Sequence, residues 1–138
     1  MPGKAFFDTN VLIYAVAHDE PRSTQAEELL ASGGVLSVQI LNEFTFVARR
    51  KILMSWSEVT EALDAFRVLF PSPLPITNEM HEAALKIAEK HGYNIYDALV
   101  VSAALEAGCT TLYSEDLRDD RTIDGQLTIR NPFVGSSG

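Results

Sequence analysis

The sequence predicts a three-layer α/β/α domain with a central parallel sheet of four or five strands. Two observations predict it. Short apolar runs of about four residues alternate with longer stretches of helical periodicity, the pattern of parallel strands joined by helices that cover both sheet faces. The chain also has the size and composition of one ordinary domain: 138 residues, 46% hydrophobic and 22% charged, enough to bury a core without staples. No repeat or low-complexity segment interrupts it. Residues 1–134 read as the domain and 135–138, Gly-Ser-Ser-Gly, as a flexible tail.

Taken in order, residues 4–7 form an apolar run ending at Asp8 and read as a buried strand. Asn10 is placed to cap a helix over 11–17. Asp19-Glu20-Pro21 opens a second helix to about 31, with Ala26, Leu29 and Leu30 on one face, and Gly33-Gly34 stops it. Residues 35–38 read as a second strand. A helix over about 39–51 follows, with Ile40, Phe44 and Val47 at helical spacing and three cations at its C-terminal end. Ser55 or Ser57 caps the next helix, to about 70, and Pro71, Pro73 and Pro75 mark a loop. Ile76 ends a brief strand. Thr77 or Asn78 caps a helix to about 91, which Gly92 ends; Asn94 caps another over 95–107, which Gly108 ends. Residues 110–113 and 127–130 read as strands.

Composition excludes several classes. With Cys109 the only cysteine, no intramolecular disulfide forms, and a reducing, cytoplasmic compartment is expected. The N-terminal apolar stretch is broken by Asp8-Thr9-Asn10, unlike a secretory signal, and the longest nearly apolar run, 98–105, is too short to span a bilayer. The net charge is −8. That argues against gripping nucleic acid by bulk electrostatics, which needs many cations at phosphates. It leaves open an enzyme whose carboxylates reach a phosphate through bound metal.

In open α/β sheets, ligands bind beyond the carboxyl ends of the strands. Asp8 follows the first strand. Ser37 ends the second, and Glu43 lies about a turn into the next helix. Ser114, Glu115 and Asp116 follow the strand over 110–113, and Asp97 sits in the first turn of its helix. Each has a plainer reading: Asp8 as a helix cap, Glu43 as a solvated helix residue, Asp97 as half of a capping box, Glu115 and Asp116 as turn residues. The positions after the strands converge on one sheet edge by topology, and with Asp97 the four or five carboxylates each occupy a strand end or a helix start. Clustered carboxylates repel, so at least one should carry a raised pKa, and a hard divalent cation relieves the repulsion. Oxygen ligands without Cys or His favour Mg²⁺ or Mn²⁺. A haloacid dehalogenase-type phosphatase wants a second Asp where Asn10 stands. A receiver domain wants an acceptor Asp after a central strand, and Pro75-Ile76-Thr77 supplies none.

Four segments carry a family resemblance: Phe6-Phe7-Asp8-Thr9-Asn10-Val11-Leu12, residues 37–44 around Glu43, Asn94-Ile95-Tyr96-Asp97-Ala98-Leu99, and Leu112-Tyr113-Ser114-Glu115-Asp116-Leu117. In order and spacing they resemble the motifs of PIN domains, and among these the VapC-type toxins of prokaryotic toxin–antitoxin pairs. The resemblance implies a Mg²⁺- or Mn²⁺-dependent endoribonuclease with Asp8, Glu43, Asp97 and Asp116 as catalytic carboxylates. Asp8, Asp97 and Asp116 would hold metal, and Thr9, Asn10, Ser37 and Ser114 would give polar support. Glu115 adds a carboxylate beside the fourth position and leaves open which of the two faces inward. The residue types imply hydrolysis by a metal-activated water with no histidine base; His18, His81 and His91 read as surface or packing residues. Arg49, Arg50 and Lys51 either contact RNA phosphates or complement the helix dipole. The resemblance also implies a cognate antitoxin, a homodimer, and an antitoxin cation entering the carboxylate pocket. The competing reading is a PIN-like scaffold kept only as an interaction module.

Overall fold

The computed structural model describes residues 3–117 and 121–133. The expected tail, 135–138, lies outside them. The elements run β1 (Lys4–Phe7), α1 (Thr9–Ala17), α2 (Arg22–Ala31), α3 (Val38–Arg50), α4 (Trp56–Leu69), α5 (Asn78–His91), α6 (Ile95–Glu106), β2 (Cys109–Tyr113), β3 (Thr122–Ile123) and β4 (Leu127–Arg130). The sheet has four strands in the order β1-β2-β4-β3. β1, β2 and β4 are parallel, and β3 is an antiparallel edge. Helices cover it in the expected three-layer manner.

The inner half of β1 is wholly apolar: Phe6 and Phe7 are fully buried. Pairing with β2 sets Phe7 beside Tyr113, and the two rings stack at 5.8 Å. Asp8 follows at the strand's carboxyl end and caps α1, its side chain accepting from the Thr9 backbone N–H. The expected cap at Asn10 is therefore displaced by two residues. Asp8 has the extended backbone that a cap needs, and the helix begins at once behind it.

The expected strand over 35–38 is not one. Val35 makes a single bridge to Phe6, and Ser37 a single bridge to Leu74. The chain then turns into α3 at Val38, one residue earlier than predicted, with Ser37 as its cap. Gly34 permits the close approach: at φ +149°, a Cβ there would stand 2.5 Å from the Ala5 carbonyl oxygen. The brief strand ending at Ile76 is likewise reduced to the Leu74 bridge. β3 was not anticipated. It forms a hairpin with β4 around Asp124 and Gly125, both at positive φ, with the Gln126 N–H donating to the Ile123 carbonyl.

α4 opens with a capping box between Ser55 and Glu58. α5 is capped by Thr77 and ended by Gly92 in the left-handed conformation. α6 is capped by Asn94. It is apolar nearly all round and buries six of its residues between α5 and β2, where Ser102 donates to the Met80 carbonyl. α1 packs on α2 and α3, and α3 on α4. Among the described residues, no helix is long and apolar enough to cross a membrane.

Candidate active site

The carboxyl ends of β1 and β2 open into a cleft of about 760 Å³. Asp8, Glu43, Asp97 and Asp116 all line it, with Thr9, Asn10 and Lys51. These side chains come from the β1–α1 junction, α3, the first turn of α6 and the segment after β2, so only the folded topology brings them together.

Asp8 is the most constrained of the four. It is 7% exposed. One carboxylate oxygen accepts from the Thr9 N–H at 2.7 Å and the other from the Ser114 hydroxyl at 2.8 Å. Its backbone N–H donates to the Tyr113 carbonyl, which fixes it to the end of β2. Ser114 is fully buried and also accepts from the Leu117 N–H. Burial pushes the Asp8 carboxyl up to about 6; the bonds from Ser114 and Thr9 oppose this, and the nearby charges of Glu43 and Asp116 add to it.

The other three are held at the rim. Glu43 accepts from the Thr9 hydroxyl at 2.8 Å and from Gln39, one helical turn earlier, at 3.4 Å. Asp116 accepts from the Asn10 side-chain amide at 2.9 Å. Asp97 exchanges bonds with Asn94: its N–H donates to the Asn94 side chain, and its carboxylate accepts from the Asn94 amide at 3.0 Å. Its pKa is raised by partial burial and by the charge of Asp116, against the Asn94 bond. The raised pKa expected of a carboxylate cluster is thus present at two positions.

The two neighbours after β2 are separated by their partners. Asp116 faces the cleft, while Glu115 is held by the Tyr14 hydroxyl at 2.9 and 3.1 Å and does not line it. Ser37 caps the helix that carries Glu43 and also stands outside the cleft. The basic run divides in the same way: Lys51 lines the cleft, Arg49 lies over the Trp56 ring and Arg50 over Phe46. No described histidine lines the cleft; His91 stacks on Tyr93. Gln39 and Tyr14 were not anticipated. The i, i+4 spacing of Gln39 and Glu43 was a usable signal, whereas nothing in the sequence pairs Tyr14 with Glu115.

The donors facing the cleft are carboxylate, hydroxyl and amide oxygens, which suit a hard divalent cation. Among the described residues, no three acidic, His or Cys side chains stand close enough to form a ready cage. Glu43 accepts instead from Thr9 and Gln39, Asp116 from Asn10, and Asp97 from Asn94.

The PIN domain family model matches residues 5–123. No curated protein matches the sequence. Among solved structures, the fold is similar to a chain of a toxin–antitoxin complex from Klebsiella pneumoniae, at 18% identity and TM-score 0.71, covering 94% of this chain and 98% of that one. It is similar to the VapC20 toxin of Mycobacterium tuberculosis, described as cleaving the sarcin-ricin loop, at 20% identity and TM-score 0.62, covering 82% and 90%. It is also similar to a chain of VapBC2 from Rickettsia felis, solved with a promoter DNA fragment, at 20% identity and TM-score 0.64, covering 92% and 98%.

Proposed function

Because the chain belongs to the PIN domain family, we propose that it is a metal-dependent endoribonuclease and the toxin of a type II toxin–antitoxin pair. The observation that carries the reading is the convergence of Asp8, Glu43, Asp97 and Asp116 on one open cleft, with Asp8 buried and fixed at its floor. The likeness to toxin structures supports the toxin assignment.

Asp8, Asp97 and Asp116 would hold Mg²⁺ or Mn²⁺, and Glu43 would complete the set directly or through water. When bound, the cation offsets carboxylate repulsion, lowers the pKa of a water and neutralises charge on the scissile phosphate. The chain's own residues set the geometry. Ser114 and the Thr9 N–H hold the Asp8 carboxylate in one orientation. Thr9 links that floor to Glu43, and Asn10 links α1 to Asp116. Lys51, at the cleft edge, offers the substrate backbone a cation. An uncontrolled ribonuclease harms its host, so an antitoxin with an Arg or Lys that enters the carboxylate pocket fits the charge pattern. A homodimer is the expected assembly, and the cytoplasm the expected compartment.

The test is incubation with a panel of structured RNAs in Mg²⁺, Mn²⁺ or EDTA. Internal cleavage that needs metal is expected. A protein that leaves every RNA intact in both metals is not this enzyme.

A further inference from the structure

Beside the cleft, the end of α3 and the start of α4 form a second groove of about 450 Å³, lined by Asn42, Thr45, Phe46, Arg49, Arg50 and Trp56. Its aromatic residues are unusually open: Phe46 is 63% exposed and Trp56 62%. Each carries a guanidinium on its ring. Arg49 lies 4.5 Å from the Trp56 ring centroid and Arg50 5.7 Å from that of Phe46. Arg49 is steadied by donating to the Met54 carbonyl at 2.9 Å. The groove is continuous with the cleft, since Asn42 and Phe46 line both and Lys51 lines the cleft from the next position along the chain.

From this juxtaposition we propose that the groove is a base-stacking platform for an unpaired RNA nucleotide flanking the scissile phosphate. The proposal rests on the ribonuclease reading. Flat aromatic faces backed by guanidinium planes take any nucleobase, because every base has a π-face. RNA is read mainly where bases are unstacked and can splay onto such surfaces. Charge points the same way. The chain carries a net −8, yet Arg49, Arg50 and Lys51 are consecutive and run from the platform to the cleft edge. A strand with its base on Phe46 or Trp56 has its backbone drawn along these cations toward the carboxylates. An apolar protein segment gains little from cations on both rings.

Trp56 is the chain's only tryptophan, so its fluorescence reports on the platform directly. In EDTA at low salt, a short single-stranded oligoribonucleotide should quench it saturably, and an abasic oligomer of equal length should not. Trp56→Ala and Phe46→Ala should weaken binding of the labelled oligomer about tenfold, the scale of one lost base–aromatic stack, with Trp56→Tyr restoring most of it. In Mg²⁺ the same two Ala variants should raise KM by a similar factor with kcat little changed. Equal quenching by the abasic oligomer, or wild-type binding by both Ala variants, overturns the platform and leaves the groove to a protein segment. The two readings fail separately: quenching with the whole structured-RNA panel left intact in both metals sinks the ribonuclease, and cleavage of that panel without quenching sinks the platform.

Discussion

Asp8 and Asp97 are the same residue in the same cleft, yet the structure holds them by different means. Asp8 takes a donor from Ser114, 106 residues away, and is buried at the sheet edge. Asp97 takes its donor from Asn94, three residues away, and is only half-buried. One carboxylate is therefore part of the tertiary structure, and the other belongs to a local helix start. Residues proposed for one chemical role need not share a structural one. Substitutions should separate the two.

The largest effect is expected on activity. Asp8→Asn and Asp97→Asn should each lower kcat for RNA cleavage by about 10²–10³-fold or more, the scale of losing one preorganised electrostatic group. Near wild-type cleavage by either variant removes that residue from the metal site. Stability should divide the pair. The Asp8 carboxyl is raised from 3.8 to about 6 in the folded state, so the fold binds that proton more tightly than the unfolded chain does. Its contribution is complete below pH 4 and is lost as pH rises through 6, a cost of up to about 3 kcal/mol at neutral pH. Asp8→Asn should remove this dependence and, after losing an acceptor bond, stabilise the metal-free protein at pH 7 by about 1–2 kcal/mol. Asp97→Asn should shift the same way by much less, because Asp97 is half-exposed. Melts of both variants in EDTA across pH 4–8 check this; equal shifts break the comparison.

Metal should come next. Mn²⁺ or Mg²⁺ at a hundredfold excess over its dissociation constant should stabilise the wild type by about 2.7 kcal/mol. Both Asn variants should lose most of that. A wild-type melt indifferent to millimolar metal counts against the site.

Ser114→Ala should cost about 1–3 kcal/mol, since it strips a buried bond from Asp8 and another from the Leu117 N–H. It should also push the Asp8 carboxyl higher in the metal-free protein, read as an upward move of the pH at which melts in EDTA lose stability. Asn94→Ala, the matching cut at Asp97, should cost about 1 kcal/mol as an ordinary cap loss. The smallest effect belongs to Glu115→Gln. Glu115 does not line the cleft, and its carboxylate is engaged by the hydroxyl of Tyr14, which does, so cleavage should stay within about twofold of wild type. A loss comparable to that of Asp116→Asn would put Glu115 in the site instead.

The same local-versus-tertiary division explains what was legible in the sequence. α5 and α6 were readable to within a residue because Thr77, Gly92 and Asn94 are local punctuation. That Asp8, Asp97 and Asp116 lie near one sheet edge was readable because they follow strands or open a helix, whereas Glu43 stands more than a turn inside α3. The segment at 35–38 misled because its apolar run carries no ladder: Leu36 is buried, but Val38 is 43% exposed, and bridges form only at Val35 and Ser37. β3 escaped because two residues carry no periodicity, although Asp124-Gly125 before the alternating 127–130 run is a hairpin signal. The choice between Glu115 and Asp116 had no local answer. It depends on Tyr14 and Asn10, 101 and 106 residues away.

The strand order has a consequence for timing during synthesis. β1 precedes the other strands, but among the described residues its ladder partner is β2, at Cys109–Tyr113, and β2 in turn pairs with β4, which ends at Arg130. The Ser114 hydroxyl that orients Asp8 belongs to the same late stretch, and the Ser114 N–H bonds to the Arg130 carbonyl. A growing chain therefore has no assembled cleft until β4 has been translated.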